Sequence, residues 1–492
     1  MKKRHIARKP TRAAYVTAAT FVTAATLAFG FTSMPALAQD SDPTAFYRNG
    51  DLTLRWHLQA GINAVAERKL FWNLAETAAP GSGYDPDTNW LELYVKPGIS
   101  FEYSLDAGAT VYGKLSAVAS YTAGTDAYDT GDTGETTLEE AYLAVRGNAG
   151  QLSYDLSLGP RELKLGTGML IANGASSGFE RGALKLGPRK AWEMAAIARL
   201  SGNGITGTAF YLDPNELSSS DGKNELAGLD VRYDDPRGGY LGATYLKVLN
   251  SETPYPQAAP GGNGPPTITP GAREGTNALS LYAKTNPFAG AMENWTFTGD
   301  LAYEWNDEID LDAWAGRITA SYAFKNLPWS PTLTYGYQTF SGDDPDTAAL
   351  ERFDPLYYEG SPSAWATGSK SASTFINSNV NAHSLALRVK PTVQDTFTLR
   401  YSHIRVNELR SPVQFGQATR VDTSGATANV VTGVTNAHLA DDLFLEYNRV
   451  INRNTYLTAG VSVSFPGQGI KDVTPESDPN WTGGFVNLVI NF

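Results

Sequence analysis

Nine cationic residues, Lys114, Arg146, Arg199, Arg232, Lys284, Arg317, Arg388, Lys390 and Arg400, occupy the polar phase of stretches in which apolar and polar residues alternate. Cations held in a confined, water-filled space bind anions, because a low-dielectric wall strengthens their field. Arginine suits carboxylates best, since its planar fork donates two parallel hydrogen bonds. Arg388 and Arg400 stand out because they fall on the two strands of one expected hairpin around Pro391. The alternative is that these charges only solvate an interior or pair with Glu92, Glu102, Glu140, Asp155, Asp230, Glu304 and Glu446.

Three further constellations could carry chemistry. Asp343, Asp344 and Asp346 offer the oxygen ligands that calcium takes, and equally the composition of an Asp/Pro-stabilised external turn. Gly174-Ala175-Ser176-Ser177-Gly178 spells the Gly-x-Ser-x-Gly of a nucleophile elbow, which requires a strand before it and a helix after it. Its flanks are instead a long loop of small residues, so neither a catalytic residue nor a cofactor is assigned. His57, His383, His403 and His438 show no metal-ligand spacing.

The elements that carry these residues read as strands. Leu457, Ala459, Val461, Val463 and Phe465 alternate with Thr458, Gly460, Ser462 and Ser464, and Val486, Leu488, Ile490 and Phe492 alternate with Asn487 and Asn491. A helix would not keep a period of two. A terminal Phe on such a strand resembles the recognition signal for outer-membrane barrel assembly. The same alternation runs through Leu91–Tyr103 and Trp295–Trp305. A soluble sandwich alternates as well, so the period alone leaves sandwich and barrel open.

Export narrows the choice. Lys2, Lys3, Arg4, Arg8, Lys9 and Arg12 precede an uncharged stretch ending in Pro35-Ala36-Leu37-Ala38, the pattern of a signal peptide cleaved after Ala38; a retained anchor is the alternative. Residues 1–38 are therefore expected to leave, and residues 39–492 to form the barrel. The remaining 33 basic and 51 acidic residues give a net charge of −18, which disfavours nucleic acid as a partner. The absence of cysteine excludes a disulfide framework and thiolate chemistry. No later segment offers the roughly 18 consecutive apolar residues of a membrane helix. A mean hydropathy of −0.28 fits strands of which only one face meets lipid.

Connection lengths add a second constraint. Short turns are expected near 106–108, 148–150, 202–204, 235–237, 286–287, 326–328, 391–395 and 452–454. Between them lie long polar stretches at 67–89, 123–135, 160–190, 213–226, 250–277, 341–381, 408–440 and 466–482, with one short connection at 307–311. Short periplasmic turns alternating with long external loops define an all-β, transmembrane antiparallel β-barrel of about 18 strands, within a range of 16–20. Aromatics at 11% supply interfacial girdles, with Trp56, Tyr103, Trp305, Tyr322, Phe324, Tyr335 and Tyr337 as candidates. The Pro- and Gly-rich stretch from Pro254 to Gly275 reads as a mobile external loop.

Three segments carry a family resemblance: Thr137-Leu138-Glu139-Glu140-Ala141-Tyr142 leading to Gly159-Pro160-Arg161-Glu162-Leu163; Phe340-Ser341-Gly342-Asp343-Asp344-Pro345-Asp346 followed by Phe353-Asp354-Pro355-Leu356; and Leu385-Ala386-Leu387-Arg388-Val389-Lys390-Pro391-Thr392. In order and spacing they resemble the alginate export family of outer-membrane channels. The family tends to read Gly-Arg-Gln-Glu-Leu where this chain has Pro160 and Arg161, and Arg beside Glu where it has Glu139-Glu140. The resemblance implies a monomeric barrel of about 18 strands whose cation-lined lumen passes anionic polysaccharide, and it adds Arg161 to the pore-lining candidates.

Three functions are therefore expected to compete. The first is an outer-membrane channel for anionic polysaccharide or oligosaccharide, with periplasmic export proteins as partners. The second is an uptake porin for small sugars or organic acids, and the third a barrel-embedded enzyme or adhesin. All three place the chain in the outer membrane of a Gram-negative bacterium, among lipid and lipopolysaccharide.

Overall fold

The computed structural model describes residues 42–75, 81–106, 108–285, 292–360, 366–413, 420–422, 429–431, 433–474 and 479–492. The expected leader, residues 1–38, lies outside them. Within the unit Thr44–Phe492, eighteen antiparallel strands close on themselves. They are β1 (Leu52–Arg68), β2 (Thr88–Ser104), β3 (Thr110–Thr125), β4 (Gly131–Ala149), β5 (Leu152–Leu158), β6 (Met194–Gly202), β7 (Ile205–Asp213), β8 (Glu225–Asp234) and β9 (Tyr240–Asn250). The second half comprises β10 (Thr276–Thr285), β11 (Trp295–Asn306), β12 (Asp312–Ala323), β13 (Thr332–Phe340), β14 (Val380–Val389), β15 (Asp395–Val406), β16 (His438–Asn452), β17 (Thr455–Pro466) and β18 (Trp481–Asn491).

Each strand pairs with its neighbours in sequence, and β18 returns to β1 from Asn491 opposite Gln59 to Thr482 opposite Arg68. Closure leaves no unpaired edge, which is the condition for strands to cross hydrocarbon. Beyond the end of that seam, the short strand Ala45–Asn49 folds back on Leu52–Arg55. Phe492 exchanges backbone bonds with Leu58, at 2.8 and 3.2 Å, and lays its ring 5.7 Å from Trp56.

The period of two sets what each face meets. Leu385, Leu387, Phe397, Leu399, Tyr401, Leu443 and Leu445 are exposed on the outer face, while Ala382, Ser402, Ile404 and Asp442, one residue out of phase, are buried inside. The expected girdle aromatics cluster near strand ends: Tyr322 lies 5.1 Å from Trp295 and 4.7 Å from Phe324, and Trp305 lies 5.8 Å from Tyr303.

Seven of the eight expected turns fall at strand junctions, the eighth, 286–287, lying outside the described residues, and the eight long stretches and the short connection at 307–311 fall at junctions too. One connection is shorter than its composition suggested. The stretch 123–135 contracts to residues 126–130, because β3 and β4 continue as a tall hairpin through Gly131–Glu135 despite their polarity. The segment from Pro254 to Gly275 is more structured than expected: Tyr255–Gln257 pairs with Thr267–Thr269, and Tyr255, Ala258 and Ala272 are buried.

The hydrophobic core sits inside the barrel, where long connections turn inward. The segment 159–193 crosses from the β1–β2 wall to β10 and β11. At one end Lys185 Nζ reaches Glu67, 2.8 Å away; at the other Thr167 Oγ1 donates to Asp300, 2.6 Å away. Its tip is a tight hairpin closed by Leu165 N to Ile171 O, with Gly166 at φ +54 so near Tyr282 that a Cβ would come within 2.9 Å of the ring. Only glycine fits both the dihedral and the space. Tyr357 of the segment 341–379 pairs with this hairpin, accepting from Ala172 N and donating to Leu170 O, so two long connections join inside the lumen. Trp72, Phe375 and Trp481 pack beside them with ring separations of 5.3 and 5.6 Å.

Candidate functional site: a lumen with two kinds of wall

Around β1–β5 the inner wall is rich in acids, and those acids hold the inward connections. Glu67, 1% exposed, receives Lys185, Lys370 and the indole N–H of Trp481. Glu92 accepts the backbone N–H groups of Lys185 and Leu186 at 2.9 and 2.8 Å. Glu139 accepts Lys96 and the N–H of Lys190, both at 2.9 Å. Arg189 is buried against Ser120 Oγ, Thr137 Oγ1 and the carbonyl of Glu135. On the far wall Asp442 accepts three consecutive N–H groups, from Ser369, Lys370 and Ser371, at 2.8–3.0 Å. Burial pushes the Lys370 ammonium down to about 8 although Glu67 opposes the shift.

Around β11–β15 the wall differs. A cavity of about 580 Å³ is lined by hydroxyls and small residues, including Thr296, Thr298, Thr319, Ser321, Thr332, Thr334, Ser384, Thr398 and Ser402, together with Arg317, Arg388, Arg400 and Gln338. No Asp or Glu is among its described lining residues. Arg317 pairs with Asp300, 3.0 Å away, whereas Arg388 and Arg400 form no ion pair with a described carboxylate. By register Glu446 stands opposite Thr398, which in turn stands opposite Arg388, and Arg400 stands opposite Phe444, two residues from both Glu446 and Asp442. The Gln338 amide nitrogen is buried without a described protein partner.

The registers place the arginines in descending order. Arg317 aligns with Gln338 and Ala382; Arg400 aligns with Ala386 and Thr334, four residues further along β14; Arg388 aligns with Thr332 and Thr398, two residues further still. At about 3.3 Å per strand residue, the three guanidinium-bearing positions are staggered by roughly 13 and 7 Å along the strands. Lys390 follows in the turn after β14, at the periplasmic end, and does not line the cavity. A smaller void of about 110 Å³ shares Arg400 and also touches Lys185, Lys370 and Glu67.

Four of the remaining candidates face inward but meet partners. Arg146 binds Glu102 at 2.7 Å, and Lys114 binds Glu140. Arg161 lies 4.5 Å over the Tyr142 ring and 3.5 Å from Asp155. Arg232 binds Asp234 at 2.6 Å and stacks on Tyr240. Arg199 is half-buried on β6, and Lys284 lies on β10 opposite Thr298.

Asp343 accepts backbone N–H groups from Glu351 and Ala258, and Asp344 accepts that of Asp346 at 2.9 Å; the three carboxylates do not converge on one point. Gly174–Gly178 lies in the inward segment between Trp192, against which Gly174 packs, and a single helical turn at Phe179–Arg181. It has neither the strand nor the helix that a nucleophile elbow needs.

The model of the alginate export family matches residues 275–483, which span β10–β17 and the first residues of β18 and contain Arg317, Arg388 and Arg400. No curated protein sequence matches the chain. Among solved structures, Acinetobacter baumannii OccAB1 is 11% identical, with 92% of this chain and 100% of that one covered at a TM-score of 0.50. Pseudomonas aeruginosa OpdQ is also 11% identical, with 90% and 98% covered at 0.48. At such identities the likeness concerns the fold alone. The chain is an outer-membrane β-barrel channel of a Gram-negative bacterium, similar to the alginate export family over residues 275–483.

Proposed function

We propose that the channel passes anionic saccharide along the β11–β15 wall, with Arg400 and Arg388 binding successive carboxylates and the threonine and serine hydroxyls meeting sugar hydroxyls. The observation that supports this reading is a cavity lined by three arginines and, among the described residues, no carboxylate, two of the three without an ion-pair partner among them. Inside a confined lumen, at an effective dielectric near 20, a unit charge about 6 Å away is worth roughly 3 kcal/mol, against under 1 kcal/mol in bulk water. A field of that size favours anions over cations several-fold even after screening. On this reading the chain carries out no covalent chemistry, its partners are acidic carbohydrate and periplasmic export proteins, and residues 1–38 are removed on export.

A second reading is favoured by the two inward segments that share the lumen with the cavity. They leave a space of small-molecule size, which suits short sugar acids. Reversal potentials of the purified barrel in a salt gradient test both. Arg388→Ala and Arg400→Ala should assemble normally and together reduce the anion-to-cation permeability ratio at least threefold. Block by oligouronate but not monouronate favours the polymer, and the converse favours the small acid. An unchanged ratio in the double variant refutes the role of these arginines.

A further inference from the structure

We propose that His403, His438 and Asp441 form a binding site for a borderline-soft dication of the zinc type on the outer face of the barrel, at its extracellular rim. His403 Nδ1 lies 2.8 Å from Asp441 Oδ1, and His438 Nε2 lies 2.9 Å from Asp441 Oδ2. One ligand atom from each residue falls within 4.8 Å of the others. A tetrahedral zinc with bonds of about 2.0–2.1 Å holds its ligand atoms roughly 3.3 Å apart, so shifts of about 1 Å convert the hydrogen-bonded set into a coordinating one. The imidazole rings already lie 4.7 Å apart, and Tyr401 Oη donates to Asp441 Oδ1 at 2.6 Å, fixing the carboxylate as an outer-shell partner does.

A regular strand cannot make this arrangement. His438 and Asp441 are three residues apart, which on an unbroken strand puts them on opposite faces. The β15–β16 register slips between Ile404, opposite Ala440, and Arg405, opposite His438. That bulge lets Leu439 and Ala440 both bury inward, each at 0% exposure, and returns His438 to the outer face beside Asp441 and His403. The same bulge hides the site from sequence spacing.

Its height on the barrel is set by the neighbours below. Phe397, Leu399 and Tyr401 are the lipid-facing residues of β15, and His403 and Arg405 continue the same face above them. The site thus begins where the apolar band ends, at the level of the outer leaflet's head groups. Three protein ligands leave one position for water or an anionic oxygen, and two imidazoles select zinc, copper or nickel over calcium or magnesium. Arg405, exposed beside His438, opposes a cation there, so affinity rests on the Asp441 carboxylate.

Titration of tag-free, detergent-solubilised barrel with Co²⁺, followed by visible absorption, tests the site. One saturable equivalent is expected, displaced by Zn²⁺ and not by millimolar Mg²⁺. His403→Ala and His438→Ala should each weaken binding at least tenfold. Asp441→Asn, which retains the carboxylate's shape, should do the same without loss of the heat-modifiable folded band. His57→Ala should leave the titration unchanged, since that residue bonds Ser100 on another part of the wall. The proposal fails if wild-type protein shows no one-equivalent binding, if both histidine variants bind as tightly as wild type, or if His57→Ala abolishes binding.

Discussion

Replacing Glu67 with Gln should loosen the inward segments while leaving the barrel intact. Glu67 is 1% exposed and its two oxygens serve Lys185, at 2.8 Å, Lys370, and Trp481 Nε1, at 2.9 Å. These lysines belong to different connections, 159–193 and 341–379, so one carboxylate joins both to β1. An amide leaves the two ammoniums without the carboxylate they share, and Asp442 as the remaining acid acting on Lys370. Removing one partner of a buried pair costs about 3–5 kcal/mol. The lower end applies, because Lys185 is 30% exposed and Lys370, already pushed down to about 8 by burial, is pushed down further once Glu67 no longer opposes that shift. A cost of roughly 3 kcal/mol changes the docked-to-undocked ratio about 150-fold. The strand ladder does not use this side chain, so the cost falls on docking. In planar bilayers Glu67→Gln should show larger conductance and frequent substates, and trypsin should cut after Lys370 in the folded protein. Adding Lys370→Met removes the orphaned charge and should restore much of the wild-type behaviour. Current histograms and trypsin resistance identical to wild type in Glu67→Gln would refute the latch.

Three other outcomes follow from the same structure. Leu387→Arg, on the outer face between Leu333 and Leu399, should impair assembly by about 2–4 kcal/mol if it lies at the midplane, less nearer an interface, whereas Arg400→Ala should not; urea unfolding in lipid vesicles measures both. Deleting Phe492 removes two backbone bonds to Leu58 and the contact with Trp56, a loss of roughly 2–4 kcal/mol at the β18–β1 seam, and heat-modifiable barrel should form more slowly. Burial pushes the Asp343 carboxyl up to about 6, so docking of residues 341–353 is strongest below the ordinary aspartate range and weakens as pH rises through 6, by at most about 3 kcal/mol. Protection factors of that segment, which divide out the intrinsic pH dependence of exchange, should therefore be larger at pH 4.5 than at pH 7, and Asp343→Asn should flatten the difference.

How far sequence reached depended on whether a feature was local. Alternation and turn chemistry are local, and Asn203-Gly204 or Asn452-Arg453-Asn454 end strands wherever the chain is placed, so strand number and inward parity were legible. The 131–135 stretch, part of the loop expected at 123–135, is strand although its polarity is typical of loops. Its backbone bonds are satisfied by β3, and its side chains by a distant segment: Thr133 donates to Phe179 O, and Glu135 pairs with Arg181. The inward turn of 159–193 had a signal that polarity obscured, namely Leu163, Leu165, Met169, Leu170 and Ile171, all buried. Which cation meets which acid was not legible, since Glu67 and Lys370 are 303 residues apart.

The position of the acids resolves an apparent contradiction, a cationic passage in a chain of net charge −12. Wall carboxylates are consumed by the inward connections, and mainly by their backbone N–H groups: Glu92 takes two, Asp442 takes three, and Glu304 takes that of Asp354 at 2.8 Å. Backbone donors can satisfy a buried carboxylate without a lysine or arginine partner, so each such bond leaves a basic side chain elsewhere unclaimed. Arg388 and Arg400 are two of these, on β14 and β15, where no described connection docks through an acid. It follows that neutralising a docking acid and neutralising a cavity arginine should affect different observables. Asp442→Asn weakens the hold on residues 369–371 and should change gating noise while the ion preference at fixed conductance stays as it was. Arg400→Ala should shift ion preference and leave the noise alone. If Asp442→Asn instead raises anion preference without altering the noise, the wall acids act on permeating ions directly, and the division of the lumen into a docking wall and a conducting wall is wrong.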